Sequence, residues 1–184
     1  METTINLMAR DQTRWQTCAG AIRRFLVIVC IGWWLGGFSF YTGVAIRVGA
    51  NVLGGHHKAG LITQSVTNWI NISGIAALAI LLWNLIVLWP RLGRGARIIL
   101  ALSWLVMAAI LIELAMMHNI LDTLIDLESR SVTDEDRFHQ LHRIYTISST
   151  VQWAAGMIHT LWLAGVWSEP VLLQTEQNKK RVSE

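Results

Sequence analysis

Four long apolar runs, separated by short polar segments, dominate the pattern of hydrophobic and polar positions along the chain. They lie near Phe25–Ile46, Val66–Trp89, Ala96–His118 and Ile144–Trp167, and each reaches the roughly 20 residues that crossing a hydrocarbon core about 30 Å thick requires. Lipid offers no hydrogen-bond partner to an open backbone, so each run is expected to be helical despite its many β-branched residues. The third run does not end cleanly: Ile120, Leu121, Leu124, Ile125 and Leu127 continue an apolar stripe between acids, which predicts a helix reaching past the membrane. Thr133 with Asp136 three places on reads as a capping box for the last helix. The pattern therefore predicts an all-α, integral membrane four-helix bundle over residues 1–184, with helices three and four extended into a protruding hairpin and a tail over 170–184.

Charge sets the orientation. Arg10, Arg14, Arg23 and Arg24 precede the first run, Arg91, Arg94 and Arg97 separate the second from the third, and Lys179, Lys180 and Arg181 close the chain. These segments alternate with Arg47–Ser65, poor in positive charge, and Asn119–Arg143, which carries Asp122, Asp126, Glu128, Asp134, Glu135 and Asp136. The positive-inside rule then places both termini in the cytoplasm and the acidic hairpin outside, in a plasma or bacterial inner membrane.

Composition agrees: 53% hydrophobic and 15% charged residues, with a mean hydropathy of +0.44, are too apolar for an ordinary soluble domain. Trp15, Trp69, Trp89 and Trp167 flank the runs, where indole rings gather at the headgroup layer. The net charge of +3 sits in clusters beside the runs, where anionic lipid explains it and no nucleic-acid partner is called for. Cys18 and Cys30 are expected as free thiols, because one lies in the basic segment and the other inside an apolar run. No cleavage pattern follows the first run, so it is expected to stay as a span.

The polar exceptions carry what chemistry there is. Glu113 interrupts the third run about five residues, or roughly 7.5 Å, from its outer end. Asn71 and Thr146, Ser149 or Thr150 lie at a similar depth and are its expected partners. On the fourth run His142, Thr146, Ser149, Gln152, Gly156 and His159 recur at three- and four-residue intervals, a face that must meet protein or water. His159 lies level with Asn84 and is expected to bond it. Gly32, Gly36 and Gly43 share a face of the first run that would let another helix approach closely, either within the bundle or from a second copy.

A second constellation sits on the outer side. His139 and His142 share a helical face opposite Asp122, with His118 nearby, and neutral imidazole with carboxylate is a donor set that zinc or copper accepts. Met116 and Met117 would suit Cu(I). His118 and His142, or the deeper His159, are candidate haem b ligands, though no histidine pair lies at a matched depth on facing helices. The leading reading needs no cofactor. No nucleophile elbow, phosphate-binding glycine loop or Ser-His-Asp set occurs, so no enzyme is expected. The sequon Asn71-Ile72-Ser73 lies within a span, and Gly54-Gly55-His56-His57 reads as a loop tip.

The segment Trp34-Leu35-Gly36-Gly37-Phe38-Ser39-Phe40, then Val44 and Ala59-Gly60-Leu61-Ile62, resembles the opening of a widespread family of small four-span membrane proteins of unknown function. A vertebrate transmembrane protein associated with platinum-drug resistance is a relative of that family. Phe138-His139-Gln140-Leu141-His142 with Ser148 or Ser149 is similar to the opening of the family's last span. The resemblance covers about half the chain and implies a fold and no settled activity; His139 and the long acidic hairpin depart from the family pattern. The functional expectations are a solute- or ion-handling or membrane-resistance protein with a polar intramembrane site at Glu113, Asn71, Ser149, Gln152 and His159. The alternatives are an assembly subunit of a larger membrane complex, and a haem-, copper- or zinc-binding protein.

Overall fold

The computed structural model describes residues 2–53, 56–126 and 131–183, with side chains placed over 18–52, 65–124 and 133–168. Helix α1 (Glu2–Phe40) passes through a π-helical turn at Tyr41–Ala45 into α2 (Ile46–Leu53). Helix α3 (His56–Leu88) ends in a 3-10 turn at Trp89–Arg91, and α4 (Arg94–Thr123) follows. A two-rung ladder of β1 (Ile125–Asp126) and β2 (Ser131–Val132), with Ile125 opposite Val132, leads into α5 (Glu135–Ser183). Apart from that ladder the described chain is helical, and the four long rods pack in the order α1, α3, α4, α5, with α5 closing back on α1.

Among the described residues, Cys18–Val52, Ser65–Arg91 and Arg94–Thr123 are long and apolar enough to cross a membrane. The fourth run lies within α5, where His159, Gln152 and several hydroxyl residues dilute its apolar character. Large apolar side chains also cover the outside: Phe25, Trp33, Ile75, Ile86, Ile98, Leu105, Ile112 and Leu161 are all exposed. Such a surface suits lipid as the solvent and not water. The interior holds Val27, Ile31 and Trp34 of α1, Ala77, Leu81 and Leu85 of α3, Leu100 and Met107 of α4, and Leu163 of α5. A smaller cluster of Leu114, Leu121 and Tyr145 joins α4 to α5 at the hairpin end.

Several local expectations need correction. The segment 47–65 is not a loop: helix continues to Leu53 and resumes at His56, while the expected loop tip at Gly54-Gly55 falls outside the described residues. The π turn sits where Ser39 and Thr42 donate to the carbonyls of Leu35 (2.8 Å) and Phe38 (2.9 Å), drawing backbone acceptors away from the regular ladder. Helix α4 does pass the expected span end but stops at Thr123, whose hydroxyl bonds the Ile120 carbonyl at 2.7 Å; Ile125 lies in the ladder, and Leu127 is outside the described residues. The cap of α5 is Asp134 and not Thr133. Asp134 Oδ1 accepts the Arg137 N–H at 3.0 Å, whereas Thr133 is tied to the Leu124 carbonyl by its own N–H at 2.9 Å. Pro90 ends α3, because its ring cannot continue the ladder, and Arg97 braces the turn through Nε to the Trp89 carbonyl at 3.1 Å.

The glycine prediction also shifts. At Gly32, Gly36 and Gly43 an added Cβ would meet nothing within 4 Å among the described residues, so these glycines do not mediate close packing there. Close approach occurs instead at Gly74, where a Cβ would stand 2.8 Å from Trp34 Nε1, and at Gly156, 2.8 Å from Leu35 Cδ2. Glycine is required at Gly74 because the buried indole of Trp34 lies flush on the α3 backbone.

Candidate functional site

A file of polar groups runs along the seams that α5 makes with α3 and α4. At the hairpin end Asn71 Nδ2 donates to the Tyr145 hydroxyl at 3.3 Å. Next, Ser148 Oγ donates to Glu113 Oε1 at 3.0 Å, between helices that are otherwise apolar at this level. Gln152 follows, its Nε2 donating to the Met107 carbonyl at 3.0 Å. Deeper still, His159 Nδ1 and Ser103 Oγ stand 2.8 Å apart, sharing one hydrogen bond whose donor the imidazole tautomer decides. Ser103 also reaches the Ile99 carbonyl at 2.7 Å.

Asn71, Ser149, Gln152, Ser103 and His159 are all buried, and His159 is 1% exposed. Buried polar groups are hydrogen-bonded because desolvation without a partner costs about 1–3 kcal/mol each. One acceptor breaks that rule: Asn84 Oδ1, on a residue 1% exposed, finds no partner among the described residues. From Tyr145 to His159 the file follows α5 for about 21 Å at 1.5 Å per residue, some two thirds of the hydrocarbon thickness.

Of the expected site residues, the fold brings Asn71, Ser149, Gln152 and His159 to the interior and leaves Glu113 half-buried beside them. The partners differ from expectation. Glu113 bonds Ser148 and not Asn71, Thr146, Ser149 or Thr150; Thr146, Ser149 and Thr150 donate instead to the carbonyls of His142, Tyr145 and Thr146 in their own helix. His159 bonds Ser103 and not Asn84. Of the expected polar face, Ser149, Gln152, Gly156 and His159 turn inward, whereas His142 and Thr146 are exposed. Ser103 and Tyr145, and Ser148 as the partner of Glu113, escaped sequence reading because a small hydroxyl or a tyrosine in an apolar helix satisfies itself locally so often that it signals little.

The outer constellation is dispersed. His118 Nε2 lies 3.6 Å from Asp122 Oδ2, one turn along the same helix. His142 stacks on Phe138 at 5.8 Å between ring centroids, and His139 meets the same ring edge-on at 6.2 Å. Partial burial, and then the neighbouring His139, hold the His142 pKa below the ordinary histidine value. Among the described residues no group of three or more His, Cys, Asp or Glu is placed to hold a metal ion, so His118, His139, His142 and Asp122 are not gathered into one donor set. Cys18 and Cys30 are free.

Away from the file, the α1–α3 seam opens toward the hairpin end into an apolar groove of about 340 Å³, lined by Trp33, Trp34, Gly37, Tyr41, Trp69 and Ser73 among others. Searches against protein-family models, curated proteins and solved structures found no match to this chain.

Proposed function

We propose that the chain is a four-span protein of a plasma or bacterial inner membrane, with both termini cytoplasmic, that passes a proton or small cation along its interhelical polar file. The observation that carries the reading is Glu113: a carboxyl group on an apolar helix that accepts a hydrogen bond from one serine hydroxyl, with no cation paired to it among the described residues. Acids at such depth are expensive and mark ion or proton routes. Tyr145 and Asn71 lie on one side of Glu113, and Gln152, His159 and Ser103 on the other, so exchangeable groups occur about every one to two turns. The buried, unsatisfied Asn84 oxygen adds an acceptor near the far end. The resemblance of the first and last spans to the small four-span family belongs to this proposal and supplies its helix count.

The test is flux. Full-length protein in liposomes carrying an internal pH dye, driven by a potassium diffusion potential, should collapse the imposed gradient, and Glu113→Gln should slow that collapse at least tenfold. Wild-type vesicles no leakier than empty ones to protons, sodium or potassium would end the proposal. Accessible labelling of single cysteines near Arg94 from the cytoplasmic side and near Asp134 from outside checks the orientation.

A second reading rests on the free glycine face. Gly32, Gly36 and Gly43 have no neighbour within 4 Å of an added Cβ among the described residues, and a second copy is the occupant we assign to them. Cysteines at Gly36 should then cross-link between copies in the membrane, and Gly36→Leu should abolish dimers without unfolding the protomer.

A further inference from the structure

We propose that the end of the bundle where α1 meets the α3–α4 turn is a binding site for the phosphate of an anionic glycerophospholipid. Arg23 is nine-tenths buried, 9% exposed, and its Nε has no hydrogen-bond partner among the described residues. The charges that act on it are those of Arg24 and Arg91, both also cationic. The one ion pair recorded among the described residues, His118 with Asp122, lies at the opposite end of α4. Arg23 thus feels two further guanidinium groups and, among the described side chains, no acid that neutralises it; burying a cation without an anion costs several kcal/mol in general.

The same corner holds a second orphan. Trp167 Nε1 is buried without an acceptor among the described residues, and the Arg24 guanidinium lies 5.7 Å from the centre of the Trp167 ring. The helix register accounts for the meeting: Trp34 packs on Gly74 and Leu35 on Gly156, so about three turns down α1 the antiparallel α3 and α5 present their last buried turns to Arg23 and Arg24. Helix α4 begins here too, with Gly93 as a cap lacking a side chain, which leaves its first N–H groups open. Among the described residues the unfilled groups at this corner are the Arg23 and Trp167 donors, with the Asn84 oxygen, at about the same level by that register, as the one buried acceptor beside them. A phosphodiester supplies acceptor oxygens in the number and charge that an arginine fork matches. Exposed apolar residues next to the corner, Ile22, Phe25 and Trp89, give the acyl chains a surface to lie on. The placement needs only that this end of the bundle sits at a membrane face, and it does not depend on ion passage.

Native mass spectrometry of the full-length protein in mild detergent, titrated with phosphatidylglycerol or phosphatidylcholine, tests the site. Wild type should retain one phosphatidylglycerol with at least tenfold preference over phosphatidylcholine. The exposed-residue double variant Arg24→Gln with Arg91→Gln should lose that preference, while Arg143→Gln, at the hairpin end, should keep it. Equal retention of the two lipids, or undiminished preference in the double variant, would overturn the proposal. Adding inorganic phosphate at millimolar concentration separates the sources: lipid retained in its presence supports a headgroup site, and lipid displaced by it assigns the corner to free phosphate and overturns the lipid assignment. Arg23→Gln is avoided as the primary variant, since its burial couples it to folding.

Discussion

The two long seams of the bundle are built on different chemistry. Between α4 and α5 the contact is stitched by side-chain hydrogen bonds at three levels, Glu113–Ser148, Met107–Gln152 and Ser103–His159. Between α1 and α3 the fit is steric: the Trp34 indole lies on Gly74, and the seam then parts into an aromatic, apolar groove. In water both would be held mainly by burial of oil. In lipid that driving force between helices vanishes, leaving shape and polar pairing to fix which faces meet. The polar seam tolerates loss of any one bond because the other two hold register; the steric seam has one contact that cannot yield.

That contrast predicts the largest effect at Gly74. Gly74→Leu places a branched side chain against a ring buried in the core, 2.8 Å from where its first carbon would sit, and overpacking of this kind costs about 1–3 kcal/mol. Reversible unfolding in mixed micelles should show that loss. Gly156→Ala meets the end of the Leu35 side chain at the same 2.8 Å, with Met107 Sδ in ordinary contact at 3.5 Å, and a rotamer change of Leu35 can relieve it. It should cost less than about 1 kcal/mol; equal losses at the two glycines would erase the distinction between a rigid and a yielding neighbour.

Next in size comes the deepest polar pair. Ser103→Ala leaves the buried His159 imidazole without its partner, and single interhelical bonds in membrane bundles are worth about 0.6 kcal/mol and up to about 1.7. Combining it with His159→Leu should recover part of the loss, since both polar groups are then gone together. A strictly additive double variant would mean that the two side chains touch without contributing.

The long helices, three of them apolar enough to cross a membrane, were legible in the sequence and the partners were not, for one physical reason. A run such as Ala96–His118 is apolar almost all round, so its composition fixes depth and leaves the rotation about its own axis open. Depth alone offers Asn71 and Thr146, Ser149 or Thr150 to Glu113, and the residue that bonds it is Ser148, one position and about 100° around the helix from Ser149. Depth alone also paired His159 with Asn84, whereas α4 and not α3 carries the partner, Ser103. Rotation is set by Trp34 on Gly74 and by Trp104 Nε1 donating to the Leu78 carbonyl at 2.9 Å, contacts in which an aromatic seats on a facing backbone. Neither glycine nor tryptophan announces its counterpart locally; Gly32, Gly36 and Gly43 carry a stronger small-residue spacing and face away.

Glu113→Gln sharpens the comparison at smaller cost to the fold. Glutamine retains a carbonyl oxygen where Ser148 donates, so stability should change by less than about 0.5 kcal/mol while flux through the file is lost. An unfolded Glu113→Gln variant would mean that charge, and not the hydrogen bond, clamps the seam, and would remove this residue from any transport role.

The smallest effect lies outside the seams, at His142. Its pKa is held below the ordinary value of about 6.5 by partial burial and then by His139, so the folded chain prefers the neutral ring. The unfolded chain takes up this proton first as the medium is acidified, so stability owed to the neutral ring is intact above about pH 6.5 and declines as the pH falls from there toward the lowered folded value. His142 is exposed, stacked on Phe138 one turn away, so the decline should be shallow. His142→Asn should flatten it further, and His139→Asn, which removes only the repelling neighbour, should raise the His142 midpoint seen by NMR without restoring it fully. A midpoint unmoved by His139→Asn would leave burial against the Phe138 ring as the sole cause, and would make the hairpin end a passive extension of the α4–α5 seam.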